Sequence, residues 1–192
     1  MEVENMDLQI PGVFVITGAM ASGKSTIAQL LAERFERGVH LRGDTFRRMI
    51  VTGREEFLPD PSQEAIHQLQ LRYQISASVA DMYVKAGFNV VVQDIIVGPM
   101  LKEFIDSIQS NPVYLVVLSP DEKTIKQREE TRGKTGYGVW TVTQLNQMLQ
   151  VDTPKIGMWL DTSDLTPEET VEQILTRVES EGLVSQNETR LS

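Results

Sequence analysis

Residues 18–26 read Gly18-Ala19-Met20-Ala21-Ser22-Gly23-Lys24-Ser25-Thr26 and match the pattern G-x-x-x-x-G-K-[ST] at every fixed position. An apolar run typical of a buried strand, 13–17, precedes this segment, and a helix-like stretch, 27–33, follows it. In that context the glycines let backbone N–H groups turn toward phosphate oxygens, and the helix N-terminus adds the positive end of a dipole. The segment therefore predicts a phosphate-binding loop for a nucleoside triphosphate.

Two side chains of this loop have predicted roles of their own. Lys24 would reach the β- and γ-phosphates, and the hydroxyl of Ser25 would ligate Mg²⁺. The sequence lacks an [NT]KxD-type guanine signature, which favours ATP over GTP as the nucleotide. A strand-to-helix turn without any ligand is the alternative interpretation of the motif.

Composition excludes several other classes of protein. The 192 residues carry a net charge of −9, which argues against a general affinity for nucleic acids or anionic membranes. The chain has no cysteine and two histidines, which excludes disulfides, Fe–S clusters and multi-histidine metal sites. No apolar run approaches the roughly 20 residues that span a bilayer, and the acidic N-terminus does not resemble a signal peptide. We expect a cytoplasmic protein, and the sequence leaves its oligomeric state open.

The order of predicted elements indicates the fold class. β-rich runs at 12–17, 38–42, 89–93, 113–118 and 156–161 alternate with helical patterns. Apolar periodicity predicts a long helix that Ser62 caps and that ends near Ala86. A capping box that starts at Thr166 predicts a helix reaching about Glu181. The alternation predicts one three-layer α/β domain over residues 1–192, with a frayed tail at about 182–192.

Two carboxylates follow predicted strands, where ligands collect in parallel sheets. Asp44 follows the second strand and is a candidate general base for an attacking hydroxyl, or alternatively the N-cap of a helix at 45–51. Asp94 ends the third strand as a Walker B aspartate does, which predicts a role in holding Mg²⁺. Gln93 interrupts the run of hydrophobic residues before Asp94, unlike the usual pattern. The alternatives for Asp94 are a contact with the acceptor and a purely structural role in a turn.

Residues after the second strand are also candidates for the acceptor site. Either Arg47 or Arg48 would orient an anionic group there, because adjacent residues on a helix point in different directions. The walls of an apolar acceptor pocket would come from Phe46, Met49, Phe57 and Tyr73. Packing in the core is the alternative role of each of these side chains.

The segment from Lys126 to Gly138 predicts a mobile lid at about 124–142. Arg128 and Arg132 are four residues apart and share one helix face, and a glycine-containing loop follows them. Phosphoryl transfer needs positive charge on the transferring group and exclusion of water, and a closing arginine-bearing lid supplies both. A solvated charged helix is the alternative.

These features together resemble the P-loop small-molecule kinases, which include shikimate, gluconate and adenylate kinases, and within them the chloramphenicol phosphotransferase-like branch. The resemblance rests on 18–26, Asp44, Asp94 and the segment Arg128-Glu129-x-x-Arg132-Gly133. It departs at Lys134-Thr135, where that branch has an Asp-Arg pair. It implies a five-stranded parallel sheet in the order 2-3-1-4-5 and Asp44 as the base. It also implies an adenine site between the lid helix and residues 162–164.

The sequence thus favours an ATP- and Mg²⁺-dependent kinase that phosphorylates a hydroxyl of a small molecule. Its predicted catalytic residues are Lys24, Asp44, Arg128 and Arg132. A nucleoside or nucleotide kinase is an alternative, in which Arg47, Arg48 and Arg72 would bind an acceptor phosphate. A nucleotide-dependent ATPase or switch is an alternative of another class. The acidic charge disfavours a 5′-polynucleotide kinase.

Overall fold

The computed structural model describes residues 11–131 and 140–184 of the chain. Its sheet has five strands, which are β1 (Val13–Gly18), β2 (Gly38–Arg42), β3 (Asn89–Gln93), β4 (Val113–Leu118) and β5 (Met158–Leu160). All neighbouring strands are parallel, and their order is β2-β3-β1-β4-β5, which confirms the prediction. β5 is shorter than the predicted run because Gly157 has a φ of 68°, so extended backbone begins only after it.

The described residues form seven α-helices. They are α1 (Lys24–Ala32), α2 (Asp44–Arg48), α3 (Gln63–Lys85), α4 (Met100–Ser107), α5 (Glu122–Thr131), α6 (Val142–Gln147) and α7 (Pro167–Arg177). The hydroxyl of Ser62 accepts a hydrogen bond from the Ala65 N–H at 3.0 Å, so α3 begins where the sequence predicts. None of these helices is both long and apolar enough to cross a membrane.

The C-terminal helix starts as predicted and ends earlier. Thr166 and Glu169 form the predicted capping box, with proline at the first helical position. The α-helix stops at Arg177, and a π-helical turn, Val178–Gly182, continues it. Within the predicted tail, Val184 donates its N–H to the carbonyl of Val113 at 3.0 Å. Residues 185–192 lie outside the described residues.

Helices cover both faces of the sheet because successive side chains of each strand point to opposite faces. Val13 and Val15 of β1 belong to a buried cluster with side chains of α3 and α4, whereas Phe14 and Ile16 pack with side chains of α1 and α7. Burial on both faces explains why β1 and β4 are nearly continuous apolar runs. The result is the predicted three-layer α/β architecture.

The register of the three central strands places their C-terminal ends side by side. Ile16 of β1 and Arg42 of β2 both align with Gln93 of β3. The Gly43 N–H donates to the carbonyl of Gln93 at 3.1 Å just beyond the strands. The loops that follow β1, β2 and β3 therefore meet at one edge of the sheet, where the candidate site lies.

Candidate active site

The loop between β1 and α1 has the backbone conformation that its glycines permit. Gly18 and Gly23 have φ values of 146° and 96°. A Cβ atom on Gly18 would lie 2.4 Å from the carbonyl oxygen of Leu118, so only glycine fits there. Ala21 also has a positive φ, 59°, which is uncommon for a residue with a side chain. Gly23 is the N-cap of α1 and has no side chain that could hydrogen-bond to the first backbone N–H groups of the helix. Helix N-termini that bind anions have the same arrangement.

Lys24 folds back over this loop. Its side chain is buried, and its Nζ donates to the carbonyl of Ala19 at 2.6 Å and to the hydroxyl of Ser22 at 3.4 Å. The ammonium therefore lies among the backbone groups that would surround a phosphate. Since an ammonium has three donors, it can bind phosphate oxygens when these contacts rearrange.

A cavity of about 320 Å³ opens beside the loop. Arg128 of α5 lies across it: Nη2 donates to the carbonyl of Thr162 at 2.7 Å, and Nη1 is 3.5 Å from the carbonyl of Ser22. Thr162 and Leu165, which follow β5, also line the cavity, on the side where the family resemblance implies the adenine. Arg132, predicted as the second arginine of the lid, lies outside the described residues, and lid motion stays a prediction.

Asp94 is buried at the end of β3, with 5% of its surface exposed. Its Oδ1 accepts hydrogen bonds from Arg72 at 3.0 Å and from the Ile95 N–H at 2.7 Å. Its Oδ2 has no hydrogen-bond partner among the described residues and faces Gly43, where a Cβ atom would lie only 2.1 Å away. Burial raises the pKa of Asp94, and the charge of Arg72 opposes that shift.

Gln93 has a contact that the sequence did not predict. The hydroxyl of Ser25 donates to Oε1 of Gln93 at 3.1 Å, which ties α1 to β3. The polar residue that interrupts the apolar run before Asp94 thus orients the predicted metal ligand. In the sequence, the polar residue within an apolar run marks Gln93 as unusual. Its partner Ser25 is recognisable only in the structure, where β3 lies beside β1.

Asp44 is the first residue of α2, and the alternative interpretation, that Asp44 is the N-cap of this helix, is wrong. Gly43 is the N-cap because its carbonyl accepts from the Phe46 N–H, and Asp44 makes no capping bond. Its carboxylate instead accepts from Nε of Arg47 at 3.0 Å and from Nε of Arg48 at 2.7 Å. Burial opposes ionisation of Asp44, but the hydrogen bonds and charges of these arginines outweigh it and hold its pKa below the usual value.

Of the two arginines, Arg47 faces the site. Its side chain is 29% exposed against 73% for Arg48, and it also donates to Oε1 of Glu56 at 2.6 Å. Arg47 thereby joins Asp44 to Glu56.

A second cavity, of about 480 Å³, has Asp44 and Arg47 in its wall and is called here the acceptor pocket. Phe57 and Tyr73 line it as predicted. Phe46 packs against the core and Met49 is 64% exposed, so their predicted place in the wall is wrong. Arg72, assigned to an acceptor phosphate in the nucleotide kinase alternative, and Val97 also line it. The sequence did not predict the other lining residues, which are Met20, Glu56, Leu58, Leu69, Ile95, Met100, Trp140, Leu145 and Met148.

Ser25 and Asp94 stay the predicted ligands of a Mg²⁺ ion. A hydroxyl and a carboxylate are oxygen donors of the kind that this ion binds, and the unpartnered buried Oδ2 of Asp94 suits a cation. Among the described residues no group of three His, Cys, Asp or Glu side chains is placed to bind a metal. The ion would therefore need oxygens from nucleotide phosphates or water as well.

A protein-family model described as an AAA domain matches residues 13–154, most of the chain. This chain belongs to that family. The matched part of the AAA domain contains the phosphate loop, Asp44, Asp94 and Arg128. None of the curated proteins compared with it by sequence matches significantly.

Solved structures share the fold of this AAA domain. A sugar kinase from Janibacter sp. HTCC2649 is 22% identical, with a TM-score of 0.65 over 88% of this chain and 95% of the other. The APS kinase of Mycobacterium tuberculosis, solved with AMPPNP and APS, is 17% identical, with a TM-score of 0.66 over 89% and 99%. A gluconokinase from Sinorhizobium meliloti 1021 is 16% identical, with a TM-score of 0.57 over 87% and 91%. The predicted P-loop kinase fold is confirmed; the chloramphenicol phosphotransferase-like branch is not.

Proposed function

We propose that this AAA domain is an ATP- and Mg²⁺-dependent phosphotransferase that phosphorylates a hydroxyl group of a small molecule. One observation carries the proposal: a second pocket, with an ionised carboxylate in its wall, opens next to the phosphate loop. Met20 of that loop lines it. A nucleotide in the first cavity would thus have its γ-phosphate close to an acceptor in the second.

Lys24 and Arg128 would stabilise the charge of the transferring phosphoryl group. Both lie along the phosphate loop, Lys24 within it and Arg128 against Ser22. Donors fixed in place before the reaction stabilise the transition state without reorganisation cost. Arg132 would assist from the predicted lid.

Asp44 would receive the proton of the acceptor. As the hydroxyl oxygen forms its bond to the γ-phosphorus, the bond to the leaving ADP oxygen breaks and the hydroxyl proton passes to the Asp44 carboxylate. Since its pKa is held low, Asp44 is ionised at neutral pH and accepts the proton late, when the hydroxyl has become acidic. Arg47, which pairs with Asp44 and lines the same pocket, would keep the carboxylate directed at the pocket.

Ser25 and Asp94 would hold Mg²⁺, which supplies a Lewis acid for the phosphate oxygens when bound. Gln93 would keep the Ser25 hydroxyl oriented through their 3.1 Å hydrogen bond. Sugar, gluconate and APS kinases share the fold, which supports phosphotransfer without identifying the acceptor.

The nucleotide kinase alternative is weaker because both arginines of the acceptor pocket are already paired with carboxylates, Arg47 with Asp44 and Glu56 and Arg72 with Asp94. The ATPase or switch alternative leaves the acceptor pocket without a use.

ADP formation by the purified protein, with and without a panel of alcohols, sugars, nucleosides and nucleotides, tests the proposal. We expect slow turnover with ATP and Mg²⁺ alone and a marked acceleration by at least one alcohol, with a phosphate monoester as product. Full turnover without any acceptor would instead identify an ATPase.

A further inference from the structure

We propose that the acceptor is an uncharged alcohol with an apolar, ring-containing body, in place of a polyol or an anionic metabolite. This inference rests on the proposed phosphotransfer and names the substrate class for the same site. It follows from what lines the acceptor pocket and from how the polar groups there are already engaged.

The wall of the acceptor pocket is mainly apolar. Eleven of its fifteen lining residues have aliphatic, thioether or aromatic side chains. A polyol buried there would leave most of its hydroxyl groups without hydrogen-bond partners, which disfavours its binding. An apolar body, in contrast, gains by leaving water for this surface.

The polar ends of the lining aromatic residues are directed into the protein's own hydrogen bonds. The hydroxyl of Tyr73 donates to the carbonyl of Ile95 at 2.9 Å, and Nε1 of Trp140 donates to the carbonyl of Phe57 at 2.9 Å. Both side chains therefore offer chiefly their ring surfaces to a ligand. The rings of Phe57 and Trp140 lie parallel, with an interplanar angle of 6° and centroids 6.5 Å apart. Such flat surfaces favour a planar or ring-shaped group.

The charged residues of the pocket are balanced against one another. Arg47 pairs with Asp44 and Glu56, and Arg72, 13% exposed, pairs with the buried Asp94. The positive charge of both arginines is thus already balanced by carboxylates, and Asp44 and Glu56 would repel a carboxylate or phosphate on the acceptor. A neutral acceptor avoids this repulsion.

The position of Asp44 fixes which end of the acceptor enters toward the nucleotide. Its ionised carboxylate accepts hydrogen bonds, so the reacting hydroxyl lies there and the apolar body extends toward Phe57 and Trp140. Met20, Met100 and Met148 complete the wall with flexible side chains, which suits bodies of varied shape.

Matched acceptors test the inference. Wild-type protein with γ-labelled ATP and Mg²⁺ is given 4-methylbenzyl alcohol, its anionic counterpart 4-(hydroxymethyl)benzoate, and the polyols sorbitol and gluconate. We expect kcat/KM for the neutral aromatic alcohol to exceed each of the others by about tenfold or more. Equal or faster transfer to the benzoate or a polyol would overturn the inference and leave phosphotransfer intact.

A variant pair locates the effect in the pocket. Trp140→Ala should raise KM for 4-methylbenzyl alcohol by about tenfold with little change in kcat or in KM for ATP. Trp159→Ala removes the same side chain outside the pocket wall and should leave KM for the alcohol unchanged. If Trp140→Ala does not fold, Phe57→Leu gives the same readout. An unchanged KM in the folded pocket variant contradicts the inference.

Calorimetric titration in the presence of AMPPNP separates this inference from the proposed function. If no acceptor is phosphorylated but 4-methylbenzyl alcohol binds saturably and more weakly to Trp140→Ala, the apolar site stands and phosphotransfer fails. If sorbitol, gluconate or the benzoate binds in preference, or none of the four binds, the inference fails.

Discussion

The two cavities of this protein are built in different ways. The cavity beside the phosphate loop, here called the nucleotide cavity, takes its centre from one contiguous segment, residues 21–27, and offers backbone N–H groups and a helix N-terminus. The acceptor pocket collects side chains from positions between Met20 and Met148, which the sheet and α3 bring together. Backbone geometry leaves a motif in the sequence, whereas a pocket made of scattered side chains leaves none. The sequence therefore predicts most of the nucleotide cavity, whereas most of the acceptor pocket is recognisable only in the structure.

The two halves of the site, the nucleotide cavity and the acceptor pocket, also differ in charge. Lys24 and Arg128 lie along the phosphate loop and hydrogen-bond with its carbonyl and hydroxyl oxygens or with those of Thr162. Arg47 and Arg72 of the acceptor pocket are in ion pairs with carboxylates. Variants in each half test its proposed role in phosphotransfer.

The largest expected effect is in the acceptor half. Asp44→Asn keeps the shape of the side chain but removes the proton acceptor, so phosphoryl transfer should fall by about 10² to 10⁴ while ATP affinity is retained. Kinetics with the best alcohol and titration with AMPPNP measure the two quantities.

A matched control separates the chemistry of Asp44 from its ion pairs. Arg48→Ala removes the exposed arginine and leaves the carboxylate, so activity should stay close to wild type. An active Asp44→Asn enzyme would show that Asp44 is not the base.

The next effect belongs to the nucleotide half. Lys24→Ala removes the ammonium from the β- and γ-phosphates and should lower transfer by about 10² to 10³, with the thermal unfolding midpoint close to wild type. Lys102→Ala, which removes an exposed lysine of α4, should be silent in both measurements. Near-normal turnover of folded Lys24→Ala would refute the assignment of the phosphate loop.

Arg128→Ala should act on kcat more than on ATP binding. Because an arginine of the predicted lid would contact the transferring group mainly in the transition state, kcat and kcat/KM should fall together, by about 10². Lys126→Ala removes a neighbouring charge of α5 that pairs with Glu122, and it controls for general charge effects at low salt. If Arg128→Ala is kinetically silent, the guanidinium is only a structural link between Thr162 and the loop.

The smallest effect tests the contact between α1 and β3. Gln93→Leu frees the Ser25 hydroxyl and should raise the Mg²⁺ concentration for half-maximal activity, and for nucleotide binding, by about tenfold. Gln29→Leu changes a surface glutamine of α1 and should leave both values unchanged. If the Mg²⁺ dependence of Gln93→Leu is unaltered, the hydrogen bond from Ser25 to Gln93 does not contribute to metal binding.

The sequence predicted what depends on local chemistry. Ser62 and Thr166 cap their helices as expected, and the phosphate loop has the positive φ values that its glycines suggest. The sheet order followed from the family resemblance. Such features rest on a few neighbouring residues, or on a fold that many sequences share.

What the sequence did not predict depends on contacts between distant segments. Gln93 meets Ser25 only because β3 lies beside β1, and Trp140 reaches Phe57 across 83 positions. Asp44 is the first helical residue because the Gly43 N–H bonds to the carbonyl of Gln93, which fixes Gly43 as the cap. Arg132 and the closure of the lid stay predictions.

The most direct test of the account is the fate of the γ-phosphate in a single turnover. ATP labelled in its γ-phosphate, Mg²⁺ and 4-methylbenzyl alcohol are mixed with excess wild-type protein, and the label in 4-methylbenzyl phosphate is compared with the label in inorganic phosphate. We expect most of the label to enter the ester, and we expect Asp44→Asn, although it binds ATP, to form almost no ester. Release of the label as inorganic phosphate, at the same rate with and without each alcohol tested, would contradict phosphotransfer to an acceptor.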